Sequence, residues 1–295
     1  MKKQKKNIMS NILLTNPIAS YSRSELDHIC ELNADMEIEY VTVEKLSYLK
    51  IKNFLKRPLE LRDFISQFPT EDSYRSMVEG TYKEDRSAST GLQQMMDDRF
   101  VSKITEKLYK IMFDHRMIHY RNSALMWDYY TNLFYPGMKM NRGNNYPHID
   151  PFSFAANIYL SEVNDCKSGT NFFKCKFIDP ETGEDDIFHN VFELKSPLRN
   201  KHNYIPIFEK YREGHTQDKE ANDHELFSTF QGDDFYIKYH FAPAEFNSVT
   251  LYKGCHWHNI EYDARSKQHR YSLVGAVCNR AGKDKISRQI AQIKT

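Results

Sequence analysis

From residue 125 onward the chain repeats one pattern, short runs rich in aromatic and β-branched residues: LMWDYYTNLFYP, FSFAANIYL, NFFKCKF, DFYIKYHFA, NSVTLYK and RYSLVGAV. Turn-forming residues close each run. Such runs are too short for the three-to-four-residue repeat of an amphipathic helix, and their side chains suit a pleated surface. The pattern predicts a β-sandwich or jelly roll. Residues 181–228 interrupt it with a polar stretch holding a weak helical pattern, YIPIFEKYREG. That is too long for a hairpin loop and is expected to be an insertion able to cover a site.

The first 120 residues have a different character. Residues 40–56 mix β-branched and aromatic positions and Pro58 followed by LELRDFISQF reads as a short helix with proline in its first turn, so a strand-then-helix opening is expected. After a polar, loop-like stretch at 71–96, Val101, Ile104, Leu108, Ile111 and Met112 share one helical face, predicting a helix packed on a sheet. The fold class expected is α+β: a helix-rich support over residues 1–120 packed on a jelly-roll core over 121–295, in one compact unit.

Composition excludes several partners. Lys and Arg number 41 against 40 Asp and Glu, a net charge of +1, which removes the electrostatic reason to expect nucleic acid. No apolar run approaches the roughly 18 residues of a membrane-crossing helix. The opening MKKQKK looks like the basic start of a signal peptide, but NIMSNILLTNPIAS supplies no apolar segment, so a flexible basic tail and a cytoplasmic location are expected. Five cysteines without a C-x-x-C spacing fit a reduced setting better than a disulfide framework.

Three segments carry chemistry. In Tyr146-Pro147-His148-Ile149-Asp150-Pro151, an imidazole and a carboxylate two residues apart in extended chain can converge on one ion, and the prolines stiffen the segment. Alone, H-x-D is a weak signal. A third ligand is available in Leu251-Tyr252-Lys253-Gly254-Cys255-His256-Trp257-His258-Asn259-Ile260, where His256 and His258 have the same strand parity, so alternation does not separate them. A zinc site of Cys255, His256 and His258 would lack the separated ligand pairs of structural zinc centres. In Arg270-Tyr271-Ser272, Arg and Ser project to one side of an apolar strand. A buried guanidinium requires an anion, and its planar fork suits a carboxylate. Trp127, Tyr129, Tyr130 and Tyr135 are expected in the core rather than in a substrate cage.

H-x-D, a distal histidine and R-x-S in this order resemble the iron(II)/2-oxoglutarate-dependent dioxygenase superfamily, over about residues 125–280. Ser168-Gly169-Thr170-Asn171-Phe172 and Phe246-Asn247-Ser248-Val249-Thr250-Leu251-Tyr252 are similar to the strands that family places after H-x-D and before the distal histidine. The resemblance implies a double-stranded β-helix with His148, Asp150 and His258 as Fe(II) ligands. His256 is the alternative to His258, which is preferred because His258-Asn259-Ile260, six residues past Tyr252, is closer to the family pattern. It also implies that Arg270 and Ser272 hold the C5 carboxylate of 2-oxoglutarate, with Asn157, Tyr159 or Thr170 completing that pocket and O2 as cosubstrate.

The carboxylate at Asp150 points away from the related halogenases, in which a small residue stands there, and towards hydroxylation, desaturation or oxidative cyclisation. The implied substrate is a small amino-acid-like or natural-product molecule. Within that branch the compact motif pattern looks like the kainoid synthases, which cyclise an N-prenylated glutamate. Cations to receive such carboxylates are Arg142, Lys174, Lys253 and His256, all near the motifs in sequence. A noncatalytic jelly-roll binding protein and a peptidyl hydroxylase are the alternatives.

Overall fold

Ten short strands pair into two antiparallel sheets among the described residues of the computed structural model, which are 21–66, 98–118, 125–134, 146–150, 153–162, 168–217, 229–262 and 270–279. Strands β1 (Glu37–Val43), β2 (Leu46–Lys52), β3 (Leu125–Phe134), β4 (Phe154–Tyr159), β8 (Ser248–Lys253) and β10 (Arg270–Asn279) form a large sheet in the order β1-β2-β8-β4-β10-β3. In the smaller sheet β5 (Ser168–Ile178) is central. It pairs with β6 (Asp185–Phe188), β7 (Tyr236–Pro243) and β9 (Trp257–Tyr262). The backbone at His148 adds to the far side of β9, exchanging two 2.9 Å hydrogen bonds with His258. From β7 to β10 successive strands alternate between the sheets, as in a double-stranded β-helix, the jelly roll that the strand pattern and the resemblance predict.

Strand parity divides the apolar residues. On β4 all six residues are buried, because both faces of the sheet are covered. Phe154, Ala156 and Ile158 join Leu49, Ile51, Val249, Leu251 and Leu273 beneath the helices α1 (Arg23–Ile29), α2 (Pro58–Ser66) and α3 (Asp98–Asp114). Helix α3 contributes Ile104, Leu108, Ile111 and Met112, the face its 3.6-residue period predicts. Ser22 starts α1 with a capping box: its hydroxyl accepts from the Glu25 N–H, and Glu25 accepts from the Ser22 N–H. Opposite-parity residues Tyr48, Ala155 and Tyr252 face Phe172 and Ala242 of the small sheet and close the space between the sheets.

The N-terminal segment does more than support the core with helices: β1 and β2 extend the large sheet through the β2–β8 pairing, in register from Tyr48↔Tyr252 to Ile51↔Val249. Residues expected as an insertion supply β6 and two helices, α4 (Val191–Lys195) and α5 (Ile205–Gln217). Phe188, Val191, Leu194, Tyr204 and Phe208 from this region bury Phe173, Phe177 and Trp257 on the outer face of the small sheet. Asn190 begins α4, its side chain accepting from the N–H groups of Phe192 and Glu193.

Candidate metal centre and cosubstrate pocket

The paired backbones of His148 and His258 hold their side chains on one face, with ring centroids 4.6 Å apart. Two residues along, the Asp150 N–H donates to the Gly254 carbonyl at 2.9 Å, so the β8–β9 turn fixes the third side chain. One donor atom from each of His148, Asp150 and His258 lies within 4.8 Å of the other two. Asp150 Oδ2 is 3.3 Å from His258 Nε2.

Hydrogen bonds set which nitrogens face the centre. His258 Nδ1 lies 2.9 Å from the His256 carbonyl oxygen, and His148 Nδ1 lies 3.2 Å from that of Tyr146. A carbonyl only accepts, so both Nδ1 atoms carry a proton; the His148 Nε2 lone pair is left for a cation, and His258 Nε2, which donates to Asp150 in the metal-free protein, would give up that proton to bind one. Burial pulls the His258 pKa down, but the Asp150 charge and hydrogen bond outweigh it and raise it. Burial pushes Asp150 up, and the two imidazoles overcome this and hold it below the usual carboxylate value. The surrounding protein, then His258, lowers His148. Two neutral-capable imidazoles and an ionised carboxylate on one side of a cation are the donor set of non-haem iron(II), with open positions opposite them. The residues fit that metal.

A second polar group lies two residues deeper along the strands. Phe172 pairs with His258 across β5 and β9, and Thr170 pairs with Ile260, about 7 Å further along. There Asn157 Nδ2 donates to Thr170 Oγ1 at 3.1 Å, and the Tyr159 hydroxyl is 3.1 Å from the same oxygen. Tyr159 is opposite Ser272 in the β4–β10 register. Arg270, 3% exposed, donates through Nη1 to Ser272 Oγ at 2.9 Å and through Nε to Ser168 Oγ, and its guanidinium lies 5.6 Å from the Tyr159 ring centroid. A buried guanidinium amid hydroxyls is the kind of group that suits a carboxylate. Arg270, Ser272, Asn157, Tyr159 and Thr170 are brought together. Ser168, which heads the Ser-Gly-Thr run and is not itself among the sequence candidates, joins them through its bond to Arg270.

The remaining sequence candidates fall elsewhere. His256 is buried but lies outside the three-ligand cluster, its Nδ1 facing the His189 carbonyl at 3.2 Å. Lys174 is ion-paired to Glu44 at 3.0 Å, and Lys253 is exposed. Arg142 and Tyr135 lie outside the described residues, and Trp127, Tyr129 and Tyr130 are described only as backbone of β3, opposite Val277, Gly275 and Val274.

Strand order and ligand set now coincide. The chain resembles the iron(II)/2-oxoglutarate oxygenases in fold and in metal-ligand cluster. No protein-family model and no curated protein matches the sequence. Solved structures with some likeness include a Pseudomonas putida prolyl-4-hydroxylase (8% identity, 88% of this chain and 98% of that one, TM-score 0.34). EvdMO1 is another (10% identity, 84% and 56%, TM-score 0.37), as is the non-haem α-ketoglutarate-dependent carbocyclase SnoK of nogalamycin biosynthesis (10% identity, 82% and 68%, TM-score 0.28). This chain spans 60% of the length of the Bacillus thuringiensis IDO structure it also matches. Likeness so distant carries no weight for function. No helix among the described residues is long and apolar enough to cross a membrane.

Proposed function

We propose that this chain is an Fe(II)/2-oxoglutarate-dependent oxygenase acting on a small amino-acid-like or natural-product substrate. The observation that carries the reading is the convergence of His148, Asp150 and His258 within 4.8 Å at the inner face of the small sheet. His148 and His258 would hold iron(II) through Nε2 and Asp150 through a carboxylate oxygen, and Arg270, Ser272 and Ser168 would bind the distal carboxylate of 2-oxoglutarate. When bound, the metal and cosubstrate supply the oxidant, with 2-oxoglutarate and O2 consumed to succinate and CO2 as a substrate C–H bond is cleaved.

The protein's share is positioning and exclusion of water. Phe172 and Tyr252 flank His258, with ring centroids 6.4 and 4.9 Å from it, and form an apolar wall that keeps its Nε2 fixed. The carboxylate at Asp150 fits hydroxylation, desaturation or oxidative cyclisation. Kainoid-type ring closure is the finer reading within that set.

Anaerobic addition of Fe(II) and 2-oxoglutarate is expected to give the weak visible charge-transfer band of the bidentate complex. His148→Ala should abolish it. Arg270→Ala, which removes two charge-assisted hydrogen bonds, should raise the 2-oxoglutarate requirement by about 100-fold. A folded, metal-loaded wild type without the band would favour the noncatalytic binding protein.

A further inference from the structure

A second group of metal-ligating side chains meets at the far end of β5 from Ser168. Asp179 and Glu181 stand in the turn between β5 and β6, and His202 stands in the loop that leads into α5. One donor atom from each lies within 4.8 Å of the other two. On β5 it is Phe172 that pairs with His258, and Asp179 follows just beyond the end of that strand at Ile178, so about 20 Å of extended chain separates this group from the first cluster.

Local hydrogen bonds preorganise the group. Asp179 Oδ1 accepts from the N–H groups of Glu181 and Thr182, at 2.8 and 3.0 Å, while Oδ2 lies 3.3 Å from His202 Nε2. The His202 backbone is fixed on both sides: Asn200 accepts from the Tyr204 N–H at 2.8 Å and donates to the Leu194 carbonyl at 2.6 Å, and the Tyr204 ring stacks on Phe177 at 4.5 Å. His202 Nε2 is covered from solvent and, despite the nearby carboxylate oxygen, makes no hydrogen bond. Buried imidazole nitrogens are ordinarily bonded, so this atom calls for a partner. Two carboxylates this close also repel, and among the described residues neither is paired with a lysine or arginine. A cation held between the three side chains satisfies the nitrogen and neutralises the repulsion.

We propose that Asp179, Glu181 and His202 form a second divalent-cation site, separate from the His148, Asp150 and His258 cluster and selective for zinc over magnesium. His202 Nε2, Asp179 Oδ2 and a Glu181 carboxylate oxygen are the ligands, with water completing the shell. One imidazole with two carboxylates suits zinc, whereas magnesium favours oxygen ligands alone. Zinc bound there ties the β5–β6 turn to the start of α5 and fastens the inserted region over the outer face of the small sheet, where Phe188, Tyr204 and Phe208 already pack. The site stands or falls independently of the oxygenase reading.

The test is equilibrium dialysis of chelator-treated, full-length protein against a range of free zinc chloride concentrations at neutral pH, with retained zinc measured by elemental analysis. Wild type should retain one equivalent more than His202→Gln or Glu181→Gln, each of which should weaken that site by about 100-fold or more, since a direct ligand is worth at least as much as an outer-shell partner. Glu181 is exposed, so its variant decides the matter if His202→Gln fails to fold. His148→Ala, which breaks the other cluster, should leave the equivalent in place, and magnesium chloride at the same concentration should not displace it. Equal zinc in wild type and both ligand variants, loss of the equivalent in folded His148→Ala, or displacement by magnesium overturns the proposal.

Discussion

Acid should destabilise the metal-free protein through His256 by an amount that burial sets. Its imidazole is 3% exposed, and burial lowers its pKa from 6.5 to about 4. Because the folded value is depressed, the unfolded chain takes up a proton first as pH falls below 6.5, and stability is lost between there and about 4. From pH 7.5 to 5.0 the loss attributable to this one group is about 2 kcal/mol, from the linkage relation applied to those two values. Urea denaturation of chelator-treated protein at both pH values measures the total, to which His148 and His240, also depressed by burial, contribute with the same sign. The informative quantity is the difference between wild type and His256→Gln, since glutamine does not titrate. The acid-induced loss should be smaller by about 2 kcal/mol in the variant. Equal losses in the two proteins would refute the reasoning, showing that His256 is either protonated in the fold or well solvated.

Gly169→Ala should be severely destabilising, because an added Cβ would sit against the carbonyl oxygen of Ala242 and the ring of Phe241, and the carbonyl cannot rotate away from the β5–β7 ladder. A loss of about 3 kcal/mol or more in thermal or urea unfolding is expected, and a neutral variant would contradict the packing. Asn247, buried at φ 57°, bonds the N–H and the carbonyl of Leu55, both at 2.8 Å. Asn247→Ala should cost about 3 kcal/mol in chemical denaturation, and Asn247→Gly somewhat less, because glycine removes the backbone strain and not the lost bonds. Tyr48→Phe, which deletes the 3.0 Å bond to His240 between the sheets, should cost about 1 kcal/mol by the same assay.

Much of the fold and part of the candidate site were legible in the sequence because both are written in local periodicity. Strand parity alone places Asn157 with Tyr159 and Arg270 with Ser272 on common faces, and the hydrogen bonds to Thr170 and Ser168 close the pocket. The helical face of Ile104, Leu108, Ile111 and Met112 was equally readable. Parity could not choose between His256 and His258, which share it. That choice depends on the bridge between His148 and His258, a pairing 110 residues apart in sequence that no local rule contains. The attachment of the β1–β2 hairpin to the large sheet was hidden for a similar reason, since the pairing of β2 with β8 spans about 200 residues.

The same limit explains why the expected cations changed meaning. In sequence, Lys174 is a positive charge beside a motif. In the fold it meets Glu44, 130 residues away, from the turn between β1 and β2, and that carboxylate is shared with His189 from the inserted region. Three remote segments thereby fix one ring, and the His189 carbonyl decides which nitrogen of His256 carries hydrogen. An imidazole's residue type permits both donor and acceptor roles; only the identity of the atom facing its other nitrogen selects between them. Replacing the side chain of Glu44 should loosen His189 and blur the His256 tautomer without touching a metal ligand. In Glu44→Gln the nitrogen spectrum of His256 is expected to show a mixture of the two tautomers, and an unchanged single tautomer would place the control elsewhere.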